Sequence, residues 1–241
     1  MVYSNTVVPY TSAIPNKICW EKLHKYFKGW RFLVSPASTR SFGKKREHLL
    51  YEQGFALDNG AYSYWHRGLD FPTKEFNDCL KKYGSAADWI VLPDVVRDWD
   101  ATHKFSNEWY EQLKGMNKLL VVTQNGCEKN NWSDLYYWLD KGVGIFVGGT
   151  DEFKKDYTPF FAEVCKERNL ICHVGRVNSI LRANWVKNCG AFSFDGSGMS
   201  RFMAQAERMS KHMLSLHQNI QLSLFSDNND IYFQDMREKY F

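Results

Sequence analysis

Lys118-Leu-Leu-Val-Val-Thr-Gln124 is a short apolar run with a polar end, and Val143-Gly-Ile-Phe-Val-Gly148 repeats the pattern after a stretch of helical spacing, Ser133 to Lys141. Runs of this length that are apolar almost throughout read as strands covered on both faces. A helix between them makes the strands parallel, because the crossover must carry the chain back over one face of the sheet. Working outward, the same reading applies to Arg31 to Ser35, Gly54 to Asp58, Asp88 to Asp94, Leu170 to Gly175 and Gly190 to Asp195. Between and after them, Lys44 to Glu52, Thr73 to Tyr83, Trp99 to Leu113, Glu152 to Arg168, Asn178 to Lys187 and Ser200 to Leu216 carry helical spacing. Thr73, with Phe76 turned inward, and Thr150-Asp151 read as helix starts.

Strict alternation over most of the chain leaves a doubly wound sheet or a closed barrel. No strand is followed by Gly-x-Gly-x-x-Gly opening a helix, and nearly every run ends in polar residues, so the expected fold is an α/β, (β/α)8 barrel. The eighth strand comes either from Ile220-Gln-Leu-Ser-Leu-Phe225 or from Thr6-Val-Val-Pro9. No repeat, low-complexity tract or linker divides the chain, and 241 residues suit one barrel domain over 1–241.

The formal net charge of +4 permits a polyanionic partner without requiring one. Six cysteines are scattered with no Cys-x-x-Cys pair, and the N-terminus lacks a signal-peptide pattern, so a reducing, cytoplasmic setting is expected. No apolar stretch approaches the ~20 residues of a membrane helix.

In a barrel, residues that end different strands converge at one rim. The runs here end in Asp58-Asn-Gly-Ala-Tyr62, Pro93-Asp94, Gln124-Asn-Gly126, Gly148-Gly149, His173-Val-Gly-Arg176 and Asp195-Gly196. Two carboxylates at such a mouth suit chemistry at an anomeric carbon, one attacking C1′ and the other moving the leaving group's proton. A further Asp and a Gln can read a purine edge, glycines expose backbone N–H groups, and Tyr62 can stack on a base.

This ordered set, Asp58-Asn-Gly-Ala-Tyr62, Leu92-Pro-Asp94, Val122-Thr-Gln-Asn-Gly126, Phe146-Val-Gly-Gly149, His173-Val-Gly175 and Phe194-Asp195, resembles the motifs of tRNA-guanine transglycosylases. The short chain is more similar to their phage relatives, which insert 7-deazaguanine bases into DNA. The resemblance implies Asp195 as nucleophile and Asp58 as general acid/base, with Asp94 and Gln124 on the purine edge. It also implies Gly148 and Gly149 as N–H donors to the purine carbonyl, and Tyr62 with Val174 as a sandwich for the ring. Asp-Asn-Gly-Ala-Tyr departs from the more usual Asp-Ser-Gly-Gly-aromatic form. The family's tRNA enzymes bind zinc through cysteines and a histidine after the nucleophile; no cysteine follows Cys189 here, so no metal is expected. His212 and His217, five apart, read as surface residues.

Adjacent Cys172 and His173 point to opposite faces of a strand and are not read as a dyad. Arg176, Arg182, Arg201, Lys44, Lys45, Arg46 and Arg67 stand near the expected rim and suit phosphate contacts, whereas Lys81-Lys82 and Lys154-Lys155 read as solvated helix faces. Trp65 and Trp99 follow strand ends, where they either stack on nucleobases or pack under their loops. The expectation is an enzyme that exchanges guanine in DNA for a free 7-deazaguanine such as preQ0, with no other cofactor. The alternatives are the same exchange in RNA or tRNA, a catalytically silent nucleic-acid-binding barrel, and a sugar-phosphate enzyme using Gly148-Gly149 as a phosphate cradle.

Overall fold

The computed structural model describes residues 6–12, 17–39 and 44–223, the side chains of 44–46, 130 and 219–223 excepted. In chain order the elements are β1 (Val8–Ser12), α1 (Lys17–Tyr26), β2 (Arg31–Val34), α2 (Pro36–Thr39), α3 (Lys44–Gln53), β3 (Phe55–Leu57), α4 (Ala61–Trp65) and α5 (Thr73–Tyr83). There follow β4 (Ile90–Val91), α6 (Trp99–Leu113), β5 (Leu119–Thr123), α7 (Ser133–Asp140), β6 (Gly144–Val147), α8 (Asp151–Glu167), β7 (Cys172–Val174), α9 (Ile180–Asn188), β8 (Ser193–Gly196), α10 (Gly198–Arg201) and α11 (Met203–Ser223). The eight strands form a closed barrel in sequence order, every pair parallel. This is the (β/α)8 architecture expected from the alternation.

The N-terminal segment supplies the remaining strand. β1 pairs with β2 through Tyr10↔Arg31 and with β8 through Tyr10↔Asp195, which leaves no open edge. The other candidate, Ile220 to Phe225, is not a strand: α11 runs through Ser223, and residues 224–225 lie outside the described residues. α11 packs on α1, where Lys22 Nζ lies 2.9 Å from Glu207 Oε2. The helix α1 has no counterpart in the sequence reading; it buries Cys19 and Leu23, one turn apart.

Strand alternation divides the apolar residues into two layers. Tyr10, Ala56, Trp89, Val91, Leu120, Val122 and Ile171 fill the barrel, and Leu57, Ile90, Val121, Val147, Val174 and Phe194 face the helices. The helix starts follow local chemistry. Asp98, Thr150 and Ser179 each accept a backbone N–H from the first turn of α6, α8 and α9. Thr73 is inside α5 after Pro72 and caps nothing, although Phe76 is buried as expected. Among the described residues no helix is long and apolar enough to cross a membrane.

Candidate active site

The alternation that fills the barrel also decides what reaches its C-terminal mouth. Two residues beyond the inward-facing Ala56, Val122, Phe146, His173 and Ser193 stand Asp58, Gln124, Gly148, Gly175 and Asp195. Residues from five strands thus converge on one opening.

Asp195 stands next to the end of β8, and its Oδ1 lies 3.1 Å from His173 Nε2. A carboxylate only accepts, so Nε2 carries the proton, and Nδ1, 2.8 Å from Ser193 Oγ, accepts from that hydroxyl. The imidazole is fully buried against Tyr10, Trp89 and Phe146. Burial lowers its pKa while Asp195 opposes that shift, so a neutral ring positions the carboxylate. Cys172, its neighbour, faces the outer layer, as alternation requires of adjacent strand residues.

Asp58 follows β3 and accepts backbone N–H bonds from Asn59 and Gly60. Burial, followed by the nearby charges of Asp195 and Asp94, pushes its carboxyl up to about 7. Asp94 is buried, and burial raises it to about 6 against the donors of Asn59 and Gln124. Asn59 Nδ2 reaches Asp94 Oδ1 at 2.8 Å and Leu92 O at 2.7 Å; Gln124 Nε2 reaches Asp94 Oδ2 at 2.8 Å. Both oxygens of Asp94 therefore hold a fixed direction. Gln124 spends its own oxygen on the Arg97 N–H at 3.1 Å, so it orients Asp94 instead of standing free beside it.

Gly148 needs to be glycine because a Cβ there would lie 2.7 Å from Thr123 O. Its N–H, expected to be an open donor, is bonded to that same carbonyl at 3.1 Å. Gly149, at φ 76, gives its carbonyl to Arg176 Nη2 at 2.5 Å. Tyr62 is 46% exposed on α4 with the Arg176 guanidinium over its ring.

Val174 does not face this mouth. It packs in the outer layer and lines a small cavity behind the barrel wall with Lys154, Asp151 and Trp185, because alternation turns it, like Cys172, away from the axis. Gly175, one residue on, stands there instead, where a Cβ would come within 3.5 Å of Asp195 Oδ1. Lys154 is another correction: it is 5% exposed, not solvated, and its Nζ donates to Gly175 O at 2.6 Å. Burial and the neighbouring Arg176 bring its pKa down to about 7.

Arg176, just after β7, and Arg201, the last residue of α10, are exposed, and Arg182 is paired with Asp151 at 2.5 Å. Lys44, Lys45 and Arg46 open α3, and their side chains lie outside the described residues. Trp65 is 42% exposed, but Trp99 is buried in the outer layer, the packed alternative of the two. His212 and His217 are partly buried instead of surface residues, bonded to Asn184 Oδ1 and Met213 O. Sequence reasoning missed His173, Asn59 and Lys154. For His173 the signal was present, since alternation from Gly175 turns it inward toward the strand that ends in Asp195. A scan against protein-family models and a search of curated proteins find no match, so the reading of this site rests on its chemistry.

Proposed function

We propose that this protein is a DNA base-exchange enzyme, the activity that its resemblance to guanine transglycosylases implies. One observation carries the reading: Asp195, held by neutral His173, shares a mouth with Asp58, whose carboxyl is pushed up to about 7. The first is placed to be a nucleophile and the second to trade protons near neutrality.

In the first half-reaction the Asp195 carboxylate bonds to C1′ of an extruded deoxyguanosine as the C1′–N9 bond breaks. The bonding pair leaves with guanine, which takes the proton of Asp58. In the second, a 7-deazaguanine displaces Asp195 from C1′ and gives its proton to the Asp58 carboxylate, which restores the starting state. The sugar ester keeps the strand intact and stores the glycosyl bond, so the exchange needs no nucleoside triphosphate, metal or redox group. Asp94, aimed by Asn59 and Gln124, accepts from the N–H groups of guanine, which adenine cannot match. The Gly149 N–H meets the purine carbonyl, and Tyr62 stacks on the ring. The sugar-phosphate alternative loses support because Thr123 O already occupies the Gly148 N–H.

Six scattered cysteines with no Cys-x-x-Cys pair suit a reducing cytoplasm, that of an infected bacterial host if the gene is carried by a phage. Incubation of labelled guanine with single-stranded DNA, duplex DNA and tRNA tests the assignment, with label expected in DNA. Asp195→Asn should abolish incorporation and any denaturation-resistant adduct. Label entering tRNA alone would move the substrate to RNA, and full exchange by Asp195→Asn would refute the mechanism.

A further inference from the structure

The short helix α4, Ala61-Tyr-Ser-Tyr-Trp65, carries three aromatic rings, and each has an arginine over its face. Arg176 stands 5.3 Å from the Tyr62 ring centre, Arg67 4.7 Å from that of Tyr64 and Arg97 5.0 Å from that of Trp65. The cations arrive from three segments: the turn after α4, the chain between β4 and α6, and the chain after β7. Tyr64 is buried, and Arg67 also bonds Ser63 O, so that pair braces the helix. The other two pairs are different in kind. Tyr62 and Trp65 are exposed, as are Leu69 in the turn after α4 and Val95 between β4 and α6. Arg97 and Arg176 hold φ 70 and φ 62, left-handed backbone that residues other than glycine seldom adopt. The Arg97 N–H donates to Gln124 and the Arg176 guanidinium to the Gly149 carbonyl, so each of these cations is held at a fixed place beside its ring.

An exposed indole with a guanidinium on it is a flat, positively charged surface. Unpaired bases stack on ring and guanidinium planes alike, and phosphates pair with the cation. A duplex hides its base faces and cannot use such a surface. We propose that Trp65 and Arg97 bind single-stranded DNA beside the nucleotide under exchange, with a flanking base stacked on the pair and its phosphate met by Arg97. The choice of DNA over RNA rests on the proposed function; the surface itself does not. Arg97 also ties this subsite to the purine reader, because its N–H donates to Gln124, which holds Asp94.

Binding of fluorescent oligothymidylate to the full chain, read by anisotropy over a range of salt, tests the proposal without guanine in the probe. Trp65→Ala and Arg97→Gln should each weaken binding by about tenfold, and Arg97→Gln should lower the salt slope by about 0.7. Trp65→Phe, which keeps a ring, should retain most of the affinity and shows that loss in the alanine variant is not misfolding. No binding by the wild-type chain, unchanged binding in both variants, or tighter binding to the duplex or to the RNA strand of matching sequence overturns the proposal. Guanine exchange measured on the same proteins separates the two ideas. Binding through Trp65 without exchange removes the proposed activity alone, and exchange with no effect of either variant on binding removes this subsite alone.

Discussion

At the scale of single residues, the Asp58 carboxyl is the group with the clearest consequence. Its folded pKa, about 7, exceeds the ordinary 3.8, so the folded chain holds a proton that the unfolded chain has released between those values. The stability this contributes is complete below the ordinary value and is lost as pH rises through about 7. Asp58→Asn, which imitates the protonated acid and does not titrate, should therefore gain on the wild type as pH rises through that window. The slope is up to about 1.4 kcal/mol per pH unit, measured by urea unfolding at a series of pH values; a constant difference across the window would show that Asp58 titrates normally. The place of Asp58 and Asp195 at one mouth was legible because each closes an apolar run of a barrel, where strand ends converge. His173 was not, because its meaning comes from the register of β7 on β8, which sets it opposite Ser193. Asn59 accepts from the Ala61 N–H within its own turn, and its amide also reaches across to Asp94, a contact that local sequence does not record.

Elements decide which of two adjacent residues meets the site. In β7 the pattern Ile171, His173, Gly175 points inward and Cys172, Val174 outward, so the expected sandwich partner Val174 lies behind the wall. In β6 the same rule brings Gly148 against β5 so closely that only hydrogen fits. Gly148→Ala would drive a methyl toward Thr123 O and Val122 Cγ1, at 2.7 and 2.8 Å before relaxation. Because one contact is backbone, the strands must part, and a loss of about 1–3 kcal/mol is expected from thermal or urea unfolding. A stability within error of the wild type would mean that β5 and β6 yield freely. Helix faces were less legible than strands. Lys154-Lys155 reads as a charged face, yet α8 turns Lys154 onto the barrel, where the Gly175 carbonyl gives its ammonium a partner. No pattern of apolar spacing records a lysine that is buried for one carbonyl.

Across the whole molecule, closure of the barrel depends on contacts between residues far apart in the chain. At the end away from the mouth, Asp88 Oδ2 accepts from Arg31 Nε at 2.6 Å and from the Tyr10 hydroxyl at 2.9 Å, joining β1, β2 and the entry to β4. Asp88→Asn removes the charge while keeping the shape, and should cost about 2 kcal/mol, the worth of a hydrogen bond to a charged group. Urea unfolding checks this, and an unchanged midpoint would show that apolar packing alone closes the ring. The sequence by itself determined the parallel α/β alternation, the polar ends of the strands and so the carboxylates at one mouth, because strand and crossover periodicity are local properties of the chain. Only the tertiary structure decided that β1 and not the Ile220 segment closes the barrel, that His173 braces Asp195, that Gln124 holds Asp94, and that arginines from distant loops settle on α4. Each of these is a pairing between distant segments, fixed by the register of closed strands and by burial, and local periodicity carries no information about either.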